Sequence, residues 1–203
     1  MSPNPSAADR SWLQPPVVVK VGGSLFDWPE LSKRLQVFLA TLKSKNVLLI
    51  PGGGPTANAI RQFDQCHGLG EEASHWLALR SLALNATFLR KLLPSSQVVE
   101  GLNAARQCWR RGATPILDMY CFARGDESRP DHLPHVWQVT SDSLAARVAI
   151  VANATQLVLL KSKKPPTEDW ADAVKANYLD SWFTRVVHAA TFSVQALNLR
   201  TWT

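Results

Sequence analysis

Val17-Val18-Val19-Lys20-Val21-Gly22-Gly23-Ser24 and Val47-Leu48-Leu49-Ile50-Pro51-Gly52-Gly53-Gly54-Pro55 share one design: a short apolar run that ends abruptly in glycine. Unbroken Val/Leu/Ile runs without polar alternation are the mark of strands covered on both faces, as in a parallel sheet flanked by helices. Glycine after such a strand lets the backbone approach an anion closely, and a following helix turns its free N–H groups toward it. Lys20 adds a fixed positive charge at the strand end. In open parallel sheets ligands bind beyond the carboxyl ends of the strands, so two such loops on neighbouring strands predict a phosphate cradle.

Working outward, the strand–loop–helix alternation persists. Asp27 is placed to cap a helix that carries Pro29 and Glu30 early and Leu31, Leu35, Phe38, Leu39 and Leu42 at helical spacing. Thr56 opens a second helix, to about Cys66, and Glu71–Leu93 a long third whose apolar residues exceed one stripe. That excess predicts burial on several sides or a dimer face. Gln97–Val99 and Thr114–Met119 read as strands around a helix from Leu102 to Arg111 that Gly112 ends. Cys121–Gln138, rich in glycine, proline and aspartate, reads as a long functional loop. Thr140 then caps a helix with Asp142 in its first turn, and Gln156–Leu160 is a further strand. In the tail, Trp170–Ala176 and Thr191–Leu197 read as helical and Leu199–Thr203 as a last strand. The expectation is an α/β fold, a three-layer αβα sandwich around a mainly parallel sheet, formed by residues 15–203 behind a disordered tail at 1–14.

Composition narrows the function classes. A net charge of +6 over 203 residues invites nucleic acid, but the basic residues are scattered and match no nucleic-acid-binding motif. A small anionic substrate accounts for the charge equally well. No apolar run approaches the roughly 18 residues of a membrane span, and the first residues lack the apolar segment of a secretory signal. Three cysteines without CxxC spacing support neither a zinc site nor a disulfide framework, which fits a reducing cytoplasm. The eight tryptophans are assigned to core or subunit interface.

The glycine loops complete neither GxxxxGK[ST] nor GxGxxG, so the P-loop and Rossmann fingerprints are absent. Taken in order, VVVKVGGSL, a strand ending in PGGGP and the TSDSLAARVA helix start resemble the amino acid kinase superfamily, the fold of acetylglutamate, aspartate and uridylate kinases. The likeness runs over residues 16–161. Within it, the short length and Trp137-Gln138-Val139-Thr140-Ser141-Asp142-Ser143 are most similar to the small archaeal-type kinases of methanofuran biosynthesis, which act on an aminomethylfuran phosphate.

The resemblance implies ATP and Mg²⁺ as cofactors and a site for each part of the reaction. Lys20 would contact the transferred phosphoryl group, Gly22, Gly23 and Ser24 the nucleotide phosphates, and Gly52, Gly53 and Gly54 the acceptor. Asp142 stands where the family orients its catalytic lysine. Such roles suit a reaction in which catalysis is mostly positioning and neutralising charge. Two family features are missing: Leu159-Leu160 leads into Lys161-Ser162-Lys163-Lys164 instead of an acidic turn, and no glycine follows in the last forty residues to carry the second catalytic lysine. The implied nucleotide subdomain is therefore shortened, with Lys161 assigned the second catalytic charge and Lys163 a nucleotide contact, although such a cluster also suits a solvated loop.

A second reading, from another class, is a nucleotide- or oxyanion-binding regulatory or storage protein without turnover. His132 and His135 beside Asp131 lack the fixed geometry of a metal site, so no protein-held metal is expected. His67 and His75 are expected at the surface or an interface. The resemblance and the Glu71–Leu93 segment together imply a homo-oligomer.

Overall fold

The computed structural model describes residues 14–188 and 190–203; the expected tail at 1–14 falls, apart from Gln14, outside them, as does Trp12. Six strands form one sheet in the order β3-β4-β2-β1-β5-β6: β1 Val17–Val21, β2 Val47–Pro51, β3 Ser96–Val99, β4 Thr114–Leu117, β5 Gln156–Lys161 and β6 Ser193–Asn198. Every pairing is parallel. The helices are α1 Leu31–Thr41, α2 Gly54–His67, α3 Glu71–Leu92, α4 Leu102–Arg110, α5 Met119–Asp126, α6 Ser141–Val151, α7 Trp170–Lys175 and α8 Phe183–Val187. β1 and β2 are buried throughout, as their unbroken apolar runs require.

Strand parity sorts the core into two layers. Val17, Val19 and Val21 of β1 and Val158 and Leu160 of β5 pack with Leu31, Leu35 and Phe38 of α1 and with Ala86 and Leu89 of α3. Val18 of β1 and Leu157 and Leu159 of β5 pack on the other face with Leu144, Ala145 and Val148 of α6 and Phe183 of α8. Alternation then fixes where the lysines go. Lys20 has the parity of Val18, and Lys161 that of Leu159, so both belong to the α6 side. Fully burying each Val or Leu here stabilises the fold by about 1.5–3 kcal/mol, and that burial holds the register on which both placements depend.

Several expected boundaries change. Thr191–Leu197 is not helical; Ser193–Asn198 pairs along its whole length with β5, and Leu199–Thr203 is not a strand. Six residues of mixed polarity fit either period, and the open edge of β5 decided the matter. The expected loop from Cys121 begins as helix α5, because the Asp118 carboxylate accepts from the Cys121 N–H at 2.9 Å and caps it. Asp27 is not a cap; it follows a 3-10 turn, Gly23–Leu25, and α1 starts only at Leu31, with Glu30 at its N-cap. All seven described tryptophans are half-buried. Arg147 of α6, 3% exposed, ties the 119–138 segment down by binding both Asp126 and Asp131.

Candidate active site

Asp142 bridges two lysines. Its Oδ1 accepts from Lys20 Nζ at 2.8 Å and its Oδ2 from Lys161 Nζ at 2.7 Å. The three side chains are 7%, 6% and 14% exposed. Burial by itself would push the Asp142 carboxyl up, but the adjacent Lys20 and Lys161 charges outweigh it and hold the group below the usual carboxylate range. Burial and the like charge of Lys20 draw the Lys161 ammonium down. Two cations thus share one anion.

An ammonium carries three N–H donors. Lys20 uses one, on Asp142, whereas Lys161 uses two, on Asp142 and the Tyr178 carbonyl, and rests 4.6 Å from the Tyr178 ring centroid. Two donors on Lys20 and one on Lys161 are therefore left for a ligand. Burial and the Asp142 charge raise the Tyr178 phenol to about 12, so it stays neutral.

Two chambers meet here. One, of about 640 Å³, is lined by Lys20, Asp142, Lys161, Tyr178 and Asp180; the other, of about 500 Å³, is mostly apolar and includes Leu79, Leu82, Val136 and Leu144. Gly23, Ser24, Gly53, Gly54, Asn58 and Arg61 are among the residues that line both. At this junction α2 begins, without a side-chain cap, so its first N–H groups lack intrahelical partners and suit an anion.

The glycine loops meet back to back. A Cβ on Gly23 would fall 2.0 Å from the Gly54 nitrogen, and one on Gly52 would fall 2.4 Å from the Gly23 nitrogen. Gly54 also has φ of +58°, a left-handed value that disfavours side chains. Loop contact alone therefore demands glycine at these positions. The Gly22 and Gly52 N–H groups are taken, by the Leu160 and Val21 carbonyls, and Asn85 Nδ2 donates to the Gly52 and Gly53 carbonyls at 2.8 and 2.7 Å. Gly52 lines neither chamber, whereas Gly53 and Gly54 line both. Ser24 Oγ lies 2.9 Å from Ser162 Oγ. Lys163 is exposed and lines neither chamber, though its carbonyl accepts from the Tyr178 hydroxyl at 3.2 Å.

Sequence reasoning missed several residues that the fold brings in. Arg61 was one of many scattered cations, yet Gly54, Asn58 and Arg61 share a face of α2 by their spacing, a signal that was present. Trp137 is fixed by its Nε1–H donating to Asp64 Oδ2 at 2.7 Å, and the Arg61 guanidinium lies 4.9 Å from its ring centroid. Asp180 accepts from the Thr140 and Ser143 N–H groups at 3.2 and 3.0 Å and caps α6 from the tail. Burial raises its carboxyl, and the Ser143 and Thr140 hydrogen bonds offset this only in part. His75, expected at the surface or an interface, is 6% exposed and lines the apolar chamber. No cluster of three or more His, Cys, Asp or Glu able to hold a metal occurs among the described residues.

Residues 15–164 match the model of the amino acid kinase family, and the chain belongs to that family. One curated relative, [5-(aminomethyl)furan-3-yl]methyl phosphate kinase of Methanocaldococcus jannaschii, is 25% identical over 143 residues, covering 70% of this chain and 63% of its own length. Among solved structures, UMP kinase from Ureaplasma parvum superposes with a TM-score of 0.65 at 12% identity, over 93% of this chain and 91% of that one. Uridylate kinase from Archaeoglobus fulgidus gives 0.62 at 16% identity, over 88% of each chain. These structures confirm the parallel αβα fold.

Proposed function

We propose that the protein is a small-molecule kinase that transfers the γ-phosphoryl group of ATP to an anionic acceptor, an aminomethylfuran phosphate or close analogue. The observation that carries this reading is the Lys20–Asp142–Lys161 bridge, which holds two ammonium groups beside the glycine loops with three N–H donors free. Phosphoryl transfer asks the protein chiefly to align the reactants and neutralise charge on the equatorial oxygens. Lys20 and Lys161 supply that charge, and Asp142 fixes where both ammoniums stand. Gly22, Gly23 and Ser24 form the nucleotide side, with Lys163 as an outer contact. Gly53, Gly54 and the start of α2 face the group in flight, while Gly52 supports them through Asn85. The positive excess suits a nucleotide polyphosphate, and Mg²⁺, which would neutralise its oxygens, would arrive on those phosphates.

In the acceptor chamber, Arg61 at the junction suits the acceptor's own phosphate and the apolar walls suit a small ring. The curated relative's name supports the aminomethylfuran assignment. We further propose a cytoplasmic homo-oligomer formed by residues 15–203. Three free cysteines support the compartment, and Leu77, Leu84 and Phe88, exposed along α3, support the assembly. Single-turnover transfer from labelled ATP to aminomethylfuran phosphate tests the reaction. Nucleotide binding without transfer would favour the regulatory or storage reading instead.

A further inference from the structure

His75 occupies an unusual position for a histidine. It is 6% exposed, yet no hydrogen bond to its ring occurs among the described residues. Its orientation comes from aromatic packing alone, with the ring stacked on His135 at 4.9 Å and set edge-on to Trp76 at 5.7 Å. It lines the apolar chamber but not the lysine cleft, so it lies on the side away from the Lys20–Asp142–Lys161 bridge. Its ring nitrogens are not sealed off, since Ser74 Oγ is the buried side-chain atom without a partner among the described residues, and so they stay open to a ligand in the chamber.

Two glutamates face His75 through His135, and the Arg124 guanidinium lies beyond Trp76, 5.0 Å from its ring centroid. His135 Nε2 lies 2.9 Å from Glu127 Oε1 and its Nδ1 3.7 Å from Glu72 Oε1, while His132 stands 6.2 Å from His135 on the outer side. Burial and the His135 charge hold the His75 imidazole at about 4, against the pull of the two glutamates. Near neutral pH it therefore keeps one lone pair free to accept a hydrogen bond.

We infer that His75 is a specificity-determining residue of the acceptor chamber, accepting a hydrogen bond from a primary amine at the end of the acceptor remote from the phosphoryl group. A protonated amine fits the lone pair, with Glu127 and Glu72 behind His135 on the same side. Arg61 at the junction and His75 at the far end then select a small zwitterion with an apolar ring between its charges. The assignment of the chamber to the acceptor rests on the kinase reading above.

The test uses the full chain with ¹⁵N-labelled histidine and two probes, furfurylamine and 2-methylfuran, so that no turnover is needed. Furfurylamine is expected to shift the His75 ring nitrogens, and 2-methylfuran to leave them in place. In His75→Leu, furfurylamine affinity should fall at least about tenfold with 2-methylfuran affinity unchanged, because a site built to pair a polar group discriminates strongly. Equal shifts from both probes in the native chain would overturn the inference, even if the variant failed to fold. Amine preference retained in a folded His75→Leu would overturn it as well. Absence of phosphoryl transfer alongside amine-selective shifts would instead count against the kinase reading alone.

Discussion

Asp142→Asn removes one charge and leaves the shape nearly unchanged, so its effects isolate the electrostatics of the bridge. Lys20 and Lys161 lie 2.8 and 2.7 Å from opposite oxygens of one carboxylate. Like charges on opposite oxygens of one carboxylate, taken at about 5–7 Å, repel by about 2–3 kcal/mol at an effective dielectric of about 20. With the carboxylate gone, this repulsion is uncompensated in a buried site. The loss expected is about 3–5 kcal/mol, the scale for breaking a buried ion pair by deleting one partner. Urea unfolding of both proteins at several pH values measures it.

The pH dependence has a definite sign. Asp142 is held below its ordinary 3.8, so its contribution is complete above that value and is lost as pH falls through the folded pKa. This acid limb should vanish in the asparagine variant. Lys161 is drawn below its ordinary 10.5, so the unfolded chain binds more protons between the folded and ordinary values, and stability rises with pH across that window. The variant should show a steeper rise, beginning nearer neutrality. A loss below about 1 kcal/mol, with no change of slope, would refute the shared-anion account.

Three other perturbations follow from the same geometry. Lys161→Met should lower kcat by about 10²–10³ with a smaller change in KM, the scale for removing one donor to developing charge; steady-state kinetics with ATP saturating would show it. Gly23→Ala should destabilise the fold by about 3 kcal/mol or more, since its Cβ falls 2.0 Å from the Gly54 nitrogen, and thermal unfolding checks this. Trp137→Phe keeps the ring beside Arg61 and deletes the Nε1–Asp64 hydrogen bond, so the acceptor KM should rise about three- to tenfold with kcat little altered.

Much of the fold was legible because β1, β2 and β5 are short continuous apolar runs followed by glycine or lysine, a pattern that suits parallel strands covered on both faces. β6 and α5 were not, for different reasons. Ser193–Asn198 has no periodicity of its own and became a strand by pairing with β5. The Asp118 cap, by contrast, stood in the sequence and was overlooked within a stretch dominated by glycine and proline. The placement of Lys163 shows a further boundary: composition gathers Lys161, Ser162, Lys163 and Lys164 into one cluster, whereas strand parity and the end of β5 separate Lys161 from the rest.

Local chemistry along the chain determined the strands, the glycine loops, the lysine that follows Val19 and the acid that opens α6. It also raised the expectation of an anion at the loops, since glycine, helix starts and lysine stand within a few residues of one another. Only the tertiary structure decided that Asp142 is shared by two lysines and that Tyr178 and Asp180 return from the tail to complete the cleft. It decided too that His75 is buried. These contacts join residues as many as 122 positions apart, and they depend on sheet register and helix packing, which no local pattern encodes.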